Sequence, residues 1–101
     1  MYLYNVTYKI DHDIEDKWLE WMRLTHIPKV VRTGNFLGHR VCKLLGMEEE
    51  DGITYAIQYL CPDISTFNAY QRDHAPEQKT EHARQFVNQY VSFSTILEIV
   101  E

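Results

Sequence analysis

The sequence predicts an α+β fold on a four-stranded antiparallel sheet, and three observations carry that prediction. Four segments, at 2–10, 36–45, 53–60 and 90–99, have the apolar, turn-bounded character of strands. After the first and third of them, apolar residues recur at helical spacing. Both helical stretches carry the same interruption, His26-Ile27-Pro28 and His74-Ala75-Pro76. The order strand, helix, strand, strand, helix, strand is the split βαβ arrangement of the ferredoxin-like fold, with helices on one face of the sheet.

In residues 2–10, Tyr2, Tyr4, Val6, Tyr8 and Ile10 alternate with Leu3, Asn5, Thr7 and Lys9, which predicts a strand with one buried face. Asp11-His12-Asp13 is a helix start, and Asp13 with Asp16 resembles a capping box. Ile14, Trp18, Trp21, Met22 and Thr25 follow on one helical face. Pro28 lacks a backbone donor and crowds the preceding turn, so the helix ends or kinks near His26. Gly34 suits a left-handed stop. The strand at 36–45 is joined to the strand at 53–60 by an acidic connection, and Glu48-Glu49-Glu50-Asp51 reads as a solvated turn. Asp63 or Ser65 caps a helix carrying Ile64, Phe67 and Tyr70; Pro76 ends or kinks it. A further helix from about Pro76 carries Ala75, His82, Ala83 and Phe86 on one side. Tyr4-x-Val6-x-Tyr8 is echoed by Tyr55-x-Ile57-x-Tyr59, as a βαβ duplication would produce.

The 101 residues predict a single domain, 1–101. The net charge of −5, without a Lys/Arg cluster, argues against nucleic acid and against anionic membranes as partners. No apolar run is long enough for a membrane helix, and Met1-Tyr2-Leu3-Tyr4-Asn5-Val6 does not open a signal peptide. Cys42 and Cys61 form no zinc or redox motif and read as reduced thiols, so a cytoplasmic location is expected.

Helices leave one sheet face uncovered. With strands one, three and four aligned, Tyr4, Val6, Tyr8, Ile53, Tyr55, Ile57, Tyr59, Val91, Phe93 and Leu97 are expected toward the helices. Leu3, Asn5, Thr7, Thr54, Ala56, Gln58, Leu60, Ser92, Ser94 and Ile96 are expected on the other face. That mixed composition suits a sheet packed on a second copy of itself, so a homodimer closing into an α/β barrel is expected.

Tyr4-Asn5-Val6-Thr7-Tyr8, Trp18-Leu19-Glu20-Trp21-Met22, the two His-x-Pro triplets, Thr33-Gly34 and Gly52-Ile53-Thr54-Tyr55-Ala56-Ile57-Gln58-Tyr59 resemble, nearly end to end, a family of short bacterial proteins. That family is catalogued as a domain of unknown function and is similar to the dimeric α/β-barrel superfamily. The resemblance implies the barrel. Its relatives include cofactor-free monooxygenases, haem-degrading monooxygenases and muconolactone isomerases, so it leaves the chemistry open. In the haem-degrading relatives an asparagine on the first strand and a histidine on the second helix face the cofactor. Asn5 and His74 match those elements, although the face assignment sets Asn5 away from the helices.

The candidate site residues follow from residue chemistry. His26 and His74 precede the two prolines and are candidate catalytic proton acceptors. Tyr4, Tyr55 and Trp18 are candidates for lining an aromatic pocket, with Asn5 and Gln58 at its mouth. No two histidines stand four apart and no His-Glu-x-x-His motif occurs, so neither a metal nor another cofactor is expected. The functional expectation is a small protein that binds an apolar or aromatic molecule; whether it is an enzyme stays open, and if it is one the expected class is cofactor-independent oxidation or isomerisation. The alternative is a non-catalytic dimeric structural or interaction module.

Overall fold

The computed structural model of the chain describes residues 1–46 and 51–101. Four strands, β1 (Tyr2–Ile10), β2 (Gly38–Lys43), β3 (Ile53–Cys61) and β4 (Tyr90–Glu98), form one antiparallel sheet in the order β2-β3-β1-β4. Between β1 and β2 run a 3₁₀ turn (His12–Ile14), α1 (Glu15–Trp21), a π-helical turn (Met22–His26) and α2 (Ile27–Arg32). Between β3 and β4 run α3 (Ile64–Asp73) and α4 (Ala75–Gln85). This is the βαββαβ arrangement the alternation predicts. No helix among the described residues is long and apolar enough to cross a membrane.

The two echoed triplets meet in the sheet. Tyr4 pairs with Tyr59, Val6 with Ile57 and Tyr8 with Tyr55. Cross-strand neighbours share a face, so all four tyrosines point at the helices and are buried there. Ile14, Trp18 and Met22, four residues apart in turn, lie over them, and Trp18 is wholly buried.

Several local expectations need correction. No capping box forms at Asp13 and Asp16; the chain enters α1 through the 3₁₀ turn, without a side-chain cap. The interruption expected near His26 does form, and α2 starts beyond it with Pro28 in its first turn. Pro28 has no N–H to offer the Leu24 carbonyl, and its ring crowds that carbonyl. The turn before it widens, with the Ile27 N–H donating to the Met22 carbonyl five residues back, and helix continues to Arg32. Gly34 then takes φ +80°. The second strand spans Gly38–Lys43 rather than 36–45, and Phe36 before it packs on Tyr4, Tyr59 and Tyr70. Asp63 caps α3 by accepting from the Thr66 N–H at 2.8 Å. Ala83 is exposed, and Gln78 takes its place on the buried side of α4. The acidic turn falls largely on residues outside those described; Asp51 at its end pairs with Lys9 at 2.9 Å.

The largest correction concerns β4. Its register sets Ser94 opposite Val6, Ser92 opposite Tyr8 and Ile96 opposite Tyr4. Ser92, Ser94 and Ile96 therefore face the helices, whereas Val91, Phe93 and Leu97 join Leu3, Asn5 and Thr7 on the uncovered face. Val91, Phe93 and Leu97 are 67 %, 64 % and 47 % exposed. The more apolar side of this edge strand points away from the protein's own core. The uncovered face is thus more apolar than the sequence pattern alone suggests.

Candidate functional site

The helices cover β1 and β3 closely, but β4 stays exposed along nearly all of its length. Small Ser92 and Ser94 leave space beneath the helix layer, and a cavity of about 260 Å³ opens there. Its floor is β1 and β4. Its roof is the π turn, α2 and α4, which contribute His26, Val30, Ala75, Gln78 and His82. Rings of Tyr4, Tyr8, Tyr59, Tyr70 and Tyr90 form the walls. An apolar cavity of roughly 150 Å³ accepts benzene, so this one has room for a molecule of one or two rings.

Helical spacing delivers the roof residues. Ala75, Gln78 and His82 are the buried stripe of α4. His26 ends the π turn, which rotates it inward, and is 7 % exposed. Trp18, behind the cavity, donates its indole N–H to His82 Nε2 at 2.9 Å. His82 stacks on Tyr8 at 4.8 Å between centroids and meets Tyr90 edge-on at 4.2 Å. The rings of His26 and His82 are 5.9 Å apart.

Burial keeps these groups neutral. It lowers His26 to a pKa of about 4 and His82 to about 3. Burial raises the phenols of Tyr8, Tyr59 and Tyr70, which stay protonated. It also raises Tyr4, against which hydrogen bonds with the Gln71 and Ser94 side chains act. The Tyr70 hydroxyl donates to Gln78 Oε1. Among the described residues, only two buried side-chain polar atoms lack a hydrogen-bond partner, the Tyr59 hydroxyl and His82 Nδ1. Both residues line this cavity. A buried polar group left unsatisfied costs about 1–3 kcal/mol, and both of these belong to residues of the same cavity.

Of the residues singled out in the sequence, the structure brings His26 and Tyr4 to this cavity. Trp18 sits behind it and acts on it through His82. Tyr55 lies elsewhere, donating to Glu15 Oε2 at 2.6 Å, where Lys43 joins the same carboxylate at 3.0 Å. His74 lies at the α3–α4 junction, near Tyr70, and lines a separate surface groove with Lys29 and Glu77. Asn5 and Gln58 are bonded to each other at 3.2 Å on the uncovered face. Asn5 and His74 thus stand on opposite sides of the sheet and do not assemble a haem site. No group of three or more potential metal ligands occurs among the described residues. Tyr59, one of the helix-facing tyrosines the alternation singles out, also lines the cavity, whereas His82, Tyr70 and Gln78 were not anticipated as site residues. The available signal was the spacing of Gln78 and His82 on the apolar stripe of one helix.

Comparisons with known proteins agree with this architecture. A family model described as "Domain of unknown function (DUF4286)" matches residues 1–100. No curated protein matches the chain. A dimeric ferredoxin-like protein from an uncultured marine organism is similar in structure, with TM-score 0.71, 10 % identity and coverage of 100 % of this chain and 96 % of that one. An ethyl tert-butyl ether d (EthD) family protein from Bacillus halodurans superposes with TM-score 0.67, 14 % identity and coverage of 99 % and 100 %. SnoaB, a cofactor-independent oxygenase from Streptomyces nogalater, gives TM-score 0.64, 13 % identity and coverage of 99 % and 94 %. At these identities the likeness is one of fold.

Proposed function

The chain belongs to the DUF4286 family, a domain of unknown function, and on that premise we propose that it is a homodimer binding a small aromatic molecule in the cavity between helices and sheet. The observation carrying this reading is the pair of unpartnered buried groups, Tyr59 hydroxyl and His82 Nδ1, on one ring-lined cavity. The rings supply apolar contact and the two polar groups fix orientation.

The second copy is the occupant of the uncovered face. Val91, Phe93 and Leu97 are too exposed there for a free edge strand, and similar folds are described as dimeric. Docking two sheets on this face makes the barrel, and Asn5, Gln58 and Arg40 lie within the interface. The free thiols of Cys42 and Cys61 suit a reducing cytoplasm.

If the bound molecule is turned over, the chemistry is proton abstraction leading to isomerisation, or to oxidation with dioxygen as the electron acceptor; a protein of similar fold is described as a cofactor-independent oxygenase. His26 is then the proton acceptor, being unprotonated at neutral pH, and Tyr4 holds an oxygen. A base this weak serves only a substrate whose proton is acidified by an adjacent carbonyl.

NMR titration with one- and two-ring aromatics tests binding. Shifts concentrated at Tyr8, His26, His82 and Tyr90 are expected, and Ala75→Phe, which fills the cavity, abolishes them. Shifts confined to other surfaces, or shifts that survive Ala75→Phe, contradict the reading.

A further inference from the structure

The Trp18–His82 contact has a chemical consequence for what the cavity accepts. An indole nitrogen is a donor only. At 2.9 Å from Trp18 Nε1, His82 Nε2 must be the acceptor and carries no proton. A neutral imidazole has one N–H, so in this contact it lies on Nδ1. That Nδ1 is buried, without a protein partner, in a residue 2 % exposed that lines the cavity.

Resting on the function proposed above, we infer that His82 is held as its Nδ1–H tautomer by Trp18 and donates that hydrogen to an acceptor oxygen of the ligand, a ring ketone or the oxyanion of a phenol or enol. Trp18 is the positioning residue, since it touches only His82's far nitrogen. The rest of the lining agrees. No Asp or Glu lines the cavity, whereas Lys79 does, in a chain whose net charge is −5. A ligand presenting an amine or ammonium toward His82 Nδ1 would set donor against donor, and no carboxylate lines the cavity to receive it. The site thus selects for acceptors, a property that cavity size and ring lining alone do not give.

The test uses 1-tetralone and its isostere in which a methylene group replaces the carbonyl oxygen. The two match in shape and differ in the acceptor. The ketone is expected to bind about tenfold more tightly, the worth of one hydrogen bond. Long-range ¹H–¹⁵N spectra of the wild-type imidazoles are expected to show His82 protonated at Nδ1, with that signal moving on ketone addition. His82→Phe is expected to abolish the preference while keeping affinity for the methylene compound. Trp18→Phe, which keeps a ring but loses the N–H, is expected to mix the two tautomers and narrow the preference. The wild-type spectrum decides the tautomer even if a variant fails to fold. A His82 signal from Nε2–H overturns the inference. Equal affinity for both compounds overturns it and leaves the cavity reading standing. Binding of neither compound overturns both.

Discussion

Phe93 offers the sharpest quantitative check on the proposed dimer. It stands on the uncovered face of β4 with 64 % of its surface exposed. An aromatic side chain carries roughly 200 Å² of accessible surface, so about 130 Å² of Phe93 leaves water when a second copy docks. At about 25 cal/mol per Å², that is about 3 kcal/mol per protomer. A two-fold interface uses the residue twice. Phe93→Ala therefore removes up to about 6 kcal/mol, or about four orders of magnitude in the dimer Kd. Association does not convert buried area in full, so a rise of about tenfold is the least that fits. Phe93→Asp adds the cost of burying a charge and is expected to give monomer at every accessible concentration. Sedimentation equilibrium reads the Kd, and circular dichroism checks the fold, which Phe93 does not support from within. A wild-type chain that stays monomeric when concentrated, or a Phe93→Asp variant that dimerises unchanged, refutes the reasoning.

Three further outcomes are expected. His26 and His82 titrate near 6.5 when unfolded but are lowered to about 4 and about 3 when folded. The unfolded chain thus takes up protons the folded one refuses. The stability is fully present above pH 6.5 and is lost as pH falls toward the folded values, at about 1.4 kcal/mol per pH unit for each group. Urea unfolding between pH 7 and 4.5 reads that slope, which His82→Phe halves; a flat profile contradicts it. At Gly52 a Cβ would sit 2.7 Å from the Ile10 carbonyl oxygen, a backbone atom that cannot swing aside. Gly52→Ala is therefore expected to cost about 1–3 kcal/mol in the same urea assay. His74 lies outside the cavity, so His74→Ala leaves ketone affinity within error, whereas a large loss would move the site to the α3–α4 junction.

Alternation made β1 and β3 legible almost to the residue, since both are central strands with one side against helices. The same reasoning misplaced β4. An edge strand with Ser92 and Ser94 on one side and Val91, Phe93 and Leu97 on the other looks as if its apolar side faces the core. In the structure the apolar side is the outer one, as the proposed pairing with a second copy requires. Pro28 announced an interruption, but its form depends on how a helix relieves one crowded carbonyl, and a π turn has no sequence signature here. That turn brings His26 to the cavity, while the matching His74 at a true helix break stays outside it. Tyr4 was legible from its strand position. The Trp18–His82 contact spans 64 residues, and nothing local in either segment predicts it.

Native mass spectrometry of the wild-type chain mixed with 1-tetralone reads subunit number and cavity occupancy in one spectrum. The expected result is a dimer that takes up one ketone per subunit, with uptake lost in Ala75→Phe. A monomer, or a dimer still bare at the solubility limit of the ketone, contradicts the claim that this fold pairs through its open sheet face and holds a small aromatic ligand beneath its helices.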